Sequence, residues 1–233
     1  MRQVFLDTET TGLNPDNGDR IIEIGCLEMV NRRLTGNNRH FYLNPERASS
    51  IDAIKVHGLT DEFLAEKPRF AEIADELLDY LAGAEVVIHN AAFDVGFLDA
   101  ELKRIARPRL AGAVASVTDS LLMARNQFPG KANSLDALCK RLEVDNAHRS
   151  LHGALLDAGL LAEVYVRMTR GQEALVIETQ ETSDGLLGVA AIDLREFVIA
   201  AVTVAADEQL AHDTLLAALD KASGGQTLWR RLA

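Results

Sequence analysis

The chain has 233 residues, 48% of them hydrophobic and 25% charged, with a mean hydropathy of zero, which excludes disordered and fibrous classes and leaves one full domain plus an appendage, or two small domains, at about 150 residues per domain. Lys and Arg number 24 against 35 Asp and Glu, a net charge of −11, so any contact with nucleic acid is local, helped by metal ions or delegated to a partner rather than made by a broad basic surface. The amino terminus MRQVFLDTET lacks a secretory apolar core, the apolar stretch Phe197 to Ala206 is half of the ~20 residues a membrane helix needs, and Cys26 and Cys139 have neither zinc-site nor disulfide-framework spacing; a cytoplasmic setting with no membrane partner is expected.

In chain order, Gln3 to Leu6 is a short apolar run ending in a turn-rich TTGLNPDNGD, and RIIEIGCLEMV then reads as a strand buried on both faces. RHFYL follows a polar loop around Thr35 to Asn38, so these three strands form an antiparallel meander. Phe70, Ile73, Leu77, Leu78 and Leu81 recur at helical spacing, EVVIH is the next strand, and Phe93, Phe97, Leu98, Leu102 and Ile105 mark the helix after it. VASVTD supplies a last strand, and leucines from Leu121 to Leu160 mark three more helices, which makes the whole an α/β fold with a mixed sheet. Composition shifts near residue 171: residues 1–170 carry 20 basic and 25 acidic side chains, whereas 171–233 carry 4 and 10. Within that acidic tail ETQETSDG is a polar linker, LREFVIAAVTV a strand or buried segment, and DEQLAHDTLLAALDK a helix before the terminal Trp229.

Asp7 and Glu9 stand two apart at the end of the first strand, so both side chains emerge on one sheet face. A second D-x-E pair, Asp99 and Glu101, falls in a helix and reads as a solvated face, and chance alone supplies about one such pair in a chain this acidic. Asp94 lies in a first helical turn, with Asn90 as N-cap, where the macrodipole favours an acid in any case. His152 with Asp157 and His89 with Asp94 share one H-x4-D spacing, which does not choose between them; His89 closes an apolar strand and suits a hydrogen-bonded core position, while His152 precedes a helix. Taken together, four carboxylates at strand ends and helix starts would repel by roughly 4 kcal/mol per pair at ~4 Å and an effective dielectric of ~20, and so require cations. All-oxygen ligands suit Mg²⁺ or Mn²⁺, two of which can act on a phosphodiester while a neutral histidine takes the proton of water.

The ordered segments DTETTGL, HNAAFD and HGALLDA resemble the three motifs of the DEDDh 3′-to-5′ exonucleases. RIIEIG, IKVHGLTDEFLAEKPRF, SLDALCKRL and GGQTLWR extend the likeness over nearly the whole chain, and are similar to the proofreading (epsilon) subunits of bacterial DNA polymerase III. The resemblance implies a ribonuclease-H-like sheet of five strands, order 3-2-1-4-5 with strand 2 antiparallel, flanked by helices. It implies two Mg²⁺ or Mn²⁺ ions on Asp7, Glu9, Asp94 and Asp157, Asp7 bridging both, with His152 as general base and His89 structural. Thr10, Thr11, Gly12 and Leu13 match the turn that holds a DNA 3′ end, single-stranded or frayed, and His57, Asn90 and Phe93 match its pocket; as bare residue types, Leu13 and Phe93 equally suit a core and Thr10 a turn.

The implied organisation is an exonuclease domain over 1–170, a linker over 171–192 and a polymerase-binding tail over 193–233. Gln172 to Ile177, including Leu175, resembles a peptide that binds the sliding clamp, although it ends in Ile where an aromatic or Leu is usual. Leu194 to Val204 with Leu228, Trp229 and Leu232 resembles the segment that attaches to the polymerase alpha subunit. The alternatives are an exoribonuclease of the same superfamily and a non-catalytic subunit that stabilises the polymerase.

Overall fold

The structure, a computed structural model, describes residues 1–146, 151–170 and 204–225. Strands β1 (Arg2–Thr10) and β2 (Ile21–Val30) pair antiparallel along their whole length, from Arg2 opposite Val30 to Glu9 opposite Glu23, with a bulge between Glu9 and Thr10. That pairing carries β1 four residues beyond the apolar run read from the sequence, because the ladder to β2 satisfies the backbone of Asp7 to Thr10 whatever their side chains. β2 turns tightly through Asn31 and Arg32, both at positive φ, into the two-residue β3 (Arg33–Leu34), and β4 (Arg39–Tyr42) then pairs the other half of β2. On the other side β5 (Glu85–Ile88) runs parallel to β1, and β6 (Ser116–Asp119) parallel to β5.

The order β3-β2-β1-β5-β6, with β4 beside β3 on the same edge of β2, reproduces the expected 3-2-1-4-5 arrangement with its antiparallel second strand. Six strands replace the expected five because the outer edge is broken in two, the loop through Thr35 to Asn38 separating β3 from β4.

Alternating side chains build a core on each face of the sheet. Val4, Leu6, Ile24, Cys26, Val86 and Ile88 pack under α3 (Phe70–Leu81) and α4 (Ala91–Arg104), counting α1 (Ile51–His57) and α2 (Asp61–Ala65) before them. Phe5, Leu27, Met29 and Val87 pack on the opposite face under α6 (Leu135–Leu142) and α7 (Ala154–Met168), which follow α5 (Ser120–Gln127). Ser50, Thr60 and Ser134 cap α1, α2 and α6 through their hydroxyls, so these helices start where sequence places a cap.

The chain divides into two units, Met1–Val176 and Ile177–Ala233, and the sheet belongs to the first. In the second, α8 (Ala206–Ala222) matches the helix expected there and exposes Leu210, Leu215 and Leu219. Gln172, Leu175, the segment from Leu194 and Trp229 lie outside the described residues.

Candidate active site

Parallel β1 and β5 end at the same edge of the sheet, and it is there that polar side chains gather. By strand alternation Asp7 and Glu9 share the face of Phe5 and look toward α7, while Thr8 shares the face of Leu6 and looks toward α4. The structure therefore brings carboxylates to the strand end from both sides of the sheet.

From the α4 side comes Asp94, 3% exposed, whose Oδ1 accepts hydrogen bonds from the Thr8 backbone N (3.0 Å) and the Thr8 hydroxyl (2.7 Å). Burial pushes its carboxyl up to about 7, against the opposing pull of the Thr8 hydrogen bonds and with a smaller push from Asp119. Asn90 occupies the N-cap position of α4 but makes no side-chain cap bond. It adopts a left-handed conformation at φ 69°, which Asn tolerates, and its backbone N donates to Asp119. Asn90 thus holds the N-cap position read from the sequence, without a capping bond from its side chain. His89 Nδ1 lies 2.9 Å from the Ser120 hydroxyl, which suits the structural role expected of it, although its ring also borders the acidic cavity.

From the other face comes Asp157, 3% exposed in the first turn of α7, with His152 Nδ1 3.2 Å from its Oδ2. The backbone N of His152 donates to the carbonyl of Val56, which ties the segment before α7 to the end of α1. Gly25, opposite Asp7 in the ladder, is what lets α7 come so close: a Cβ there would overlap the Leu155 N and the Ala154 carbonyl.

Asp7, Glu9, Asp94, Asp157 and His152 all line one cavity of about 220 Å³. Within it, ligand atoms of Glu9, His152 and Asp157 lie within 4.8 Å of one another. A second cavity of about 580 Å³ shares Thr8, Glu9 and Phe93 with the first and is lined by Thr10, Gly12, Leu13 and His57 among others. Leu13 is 84% exposed, so it is not core. His57 is buried; its Nδ1 accepts from the Leu59 N, and its Nε2 finds no hydrogen-bond partner among the described residues. Burial holds its pKa below the usual histidine value, and because Nδ1 accepts a hydrogen bond, the neutral ring carries its proton on Nε2.

Two of the expected contact residues do not line the larger cavity. Thr11 does not line the larger cavity: it is 1% exposed, and its hydroxyl donates to Asp19 and accepts from the Arg20 N, closing the turn from within. Asn90 borders the acidic cavity rather than the larger one. Glu101, taken with Asp99 for a solvated face, is instead 2% exposed and bidentate to Arg20 at 2.6 and 2.8 Å, while Asp99 accepts from the Leu110 N. Thr8, Leu135 and Val56 are site residues that the sequence reading missed. Only Thr8 had a signal, its place between two candidate ligands.

An α/β sheet with an acidic cluster at the end of β1, beside a larger pocket, suits the hydrolases that use divalent cations, and likeness to known proteins narrows the class to a family. Residues 4–165 match the exonuclease family RNase_T. DNA polymerase III subunit epsilon of Escherichia coli K12 is 52% identical over 98% of this chain and 97% of its own length. The epsilon subunit of Pasteurella multocida Pm70 is 50% identical over 100% and 95%. Among solved structures, exonuclease X in complex with 5′ overhanging duplex DNA superposes with a TM-score of 0.55 at 24% identity, covering 71% of this chain and 90% of that one. Escherichia coli exonuclease I in complex with a dA16 oligonucleotide gives 0.64 at 17% identity, covering 74% and 41%; these two likenesses bear on the fold alone. The chain belongs to the exonuclease family and, within it, to the DNA polymerase III epsilon subunits.

Proposed function

We propose that the acidic cavity carries the 3′-to-5′ exonuclease reaction by which this family removes mispaired 3′-terminal deoxynucleotides. The observation that supports this most is the convergence of Asp7, Glu9, Asp94, Asp157 and His152 on one cavity beside a pocket of about 580 Å³.

In this reading Asp7, Glu9, Asp94 and Asp157 would hold two divalent cations, Mg²⁺ or Mn²⁺. The donor set fits, because it is rich in hard carboxylate oxygens, and because burial raises the Asp94 carboxyl, a cost of ionisation that an adjacent cation would offset. Such ions, when bound, supply the positive charge that activates a water and stabilises the leaving oxygen of a phosphodiester. His152 would act as general base through Nε2, since Asp157 beside Nδ1 fixes the ring and favours a proton there. Thr8 orients Asp94 through two hydrogen bonds to one oxygen.

In the adjoining pocket Leu13 and Phe93 offer apolar faces to the terminal base, and His57 offers its Nε2–H to an oxygen of the nucleotide. Thr10 donates to the Gly12 carbonyl at 2.6 Å and, with Thr11 behind it, holds the turn in shape. Asn90 lines the acidic cavity, where it can meet the terminal nucleotide. The substrate is a DNA 3′ end, single-stranded or frayed. Residues 1–170 act as the exonuclease domain, 171–192 as a linker whose Gln172 and Leu175 contact the sliding clamp, and 193–233, with Trp229, as the attachment to the polymerase alpha subunit. No helix among the described residues is long and apolar enough to cross a membrane.

The test is Mg²⁺-dependent shortening of a 5′-labelled DNA primer, matched or mismatched at its 3′ end, beside an RNA strand of the same sequence. A ladder on DNA that is faster at the mismatch is expected. Selective decay of RNA would replace the reading with an exoribonuclease.

A further inference from the structure

Glu23 is the one carboxylate on the active-site face of β2 that the reaction above does not use. It stands directly opposite Glu9 in the antiparallel ladder, so the two side chains share a face. Like charges directly opposite one another destabilise a sheet, and a carboxylate 3% exposed, as this one is, costs more still unless it is paired. Its surroundings account for both.

On one side His40, from β4, brings its Nε2 to 2.7 Å from Glu23 Oε1. On the other, a Cβ built on Gly153 would lie 3.9 Å from the same oxygen, so the carboxylate sits beside the N-cap residue of α7. That N-cap is a glycine with no side chain to satisfy the first backbone N–H groups, and the start of a helix favours a negative charge. Two residues along β2, Gly25 supports the backbone of Ala154 and Leu155. Glu23 and Gly25 thus form the floor on which the first turn of α7 rests, and that turn bears Asp157 and follows directly on His152.

We propose that Glu23, oriented by His40, is a positioning residue. Its charge fixes the His152–Gly153–Ala154 segment against β2, and so sets the place of His152 and Asp157 relative to Glu9. The inference rests on the exonuclease reading of the site and adds to it a carboxylate that acts without touching substrate.

The experiment uses the full chain, with Glu23→Gln, Glu23→Asp and His40→Gln compared with wild type and Asp7→Ala on the labelled primer. Glu23→Gln keeps shape and removes charge. Its kcat is expected to fall about 10- to 100-fold, the usual cost of losing a group that orients ligands, with KM within about twofold. Mn²⁺ affinity measured by calorimetry, without substrate, should weaken about tenfold or more. Glu23→Asp should recover part of the lost kcat, because charge is retained. His40→Gln, at a half-exposed position, should lower kcat several-fold and serves if Glu23→Gln does not fold. A lowered melting temperature with unchanged kcat and unchanged Mn²⁺ affinity overturns the proposal, since it makes Glu23 only a support of the fold. Wild type inactive on DNA would bring down the underlying reading instead, whereas active wild type, dead Asp7→Ala and unaffected Glu23→Gln and His40→Gln reject this inference alone.

Discussion

Replacing Asp94 by Asn should make the metal-free protein more stable while destroying its activity. Burial raises this carboxyl from the ordinary 3.8 to about 7, so the folded chain binds that proton more tightly than the unfolded chain does. The stability gained from the protonated form is complete below pH ~4 and disappears as pH climbs to about 7, where the folded site must ionise. Three units at 1.36 kcal/mol each put the cost of the ionised group at about 4 kcal/mol at pH 8, on a residue that is 3% exposed. Asn cannot ionise, and its Oδ1 can still accept both hydrogen bonds from Thr8. Thermal unfolding in a chelator should therefore show Asp94→Asn more stable by about 4 kcal/mol at pH 8, or about 8–16 °C for a chain of this size, with the gap closing as pH falls to 4. Adding Mg²⁺ should narrow the gap by stabilising wild type alone. A gap that does not change with pH, or a variant less stable at pH 8, would refute the account of Asp94 as a buried acid waiting for a counter-charge.

Three substitutions probe the rest of the site. Asp7→Ala should abolish primer hydrolysis and leave the circular dichroism spectrum and melting temperature near those of wild type, because Asp7 is only half buried. His152→Gln should lower kcat by about 10²- to 10⁴-fold with Mn²⁺ affinity nearly unchanged; loss of metal binding would make His152 a ligand or a structural residue instead. Gly25→Ala should cost about 1–3 kcal/mol in urea unfolding and also reduce kcat, since its Cβ must push the first turn of α7 away from β2. Full activity in that variant would show that the spacing of α7 from β2 does not matter to catalysis.

How much of this was legible in the sequence depended on whether a residue's role is set locally. Hydrophobic period marks β2 and α3, whose partners simply cover what the pattern presents, and the two-residue spacing of Asp7 and Glu9 puts them on one face without help from the rest of the chain. The H-x4-D pairs are identical as spacing. What separates them is tertiary: His89 is held by Ser120, 31 residues away, while His152 pairs with the aspartate of its own motif and is tied through its backbone to Val56. The two D-x-E pairs diverge for the same reason, since Arg20 comes from 81 residues away to bury Glu101. Thr11 looked like its neighbours in the turn, but the side chain of Asp19 draws it inward, and Gly12 is where that carboxylate needs room: a Cβ there would overlap it. Glu23 lies in an apolar run that gives no hint of a cluster until β1 and β2 are set in register.

Charge leads to one more expectation. A polyanion approaching this chain meets 25 acidic against 20 basic side chains over residues 1–170, so there is no long-range attraction to concentrate DNA at the site. At physiological salt the Debye length is about 8 Å, which screens distant carboxylates but not a cluster within one cavity. On the proposed reading, grip on the terminal phosphodiester would come from cations at that cluster and from the adjoining pocket, with few phosphates neutralised by Lys or Arg. With one or two such contacts on a single strand, raising salt from 50 to 200 mM at constant Mg²⁺ should raise the KM for a free primer by less than about tenfold, against the 10³–10⁵ loss expected of a protein making 6–10 phosphate contacts. A steep salt dependence would mean that a basic track carries the DNA after all. A shallow one, combined with a KM that drops when the polymerase is present, would mean that the partner holds the primer and this chain needs affinity only for its last nucleotide.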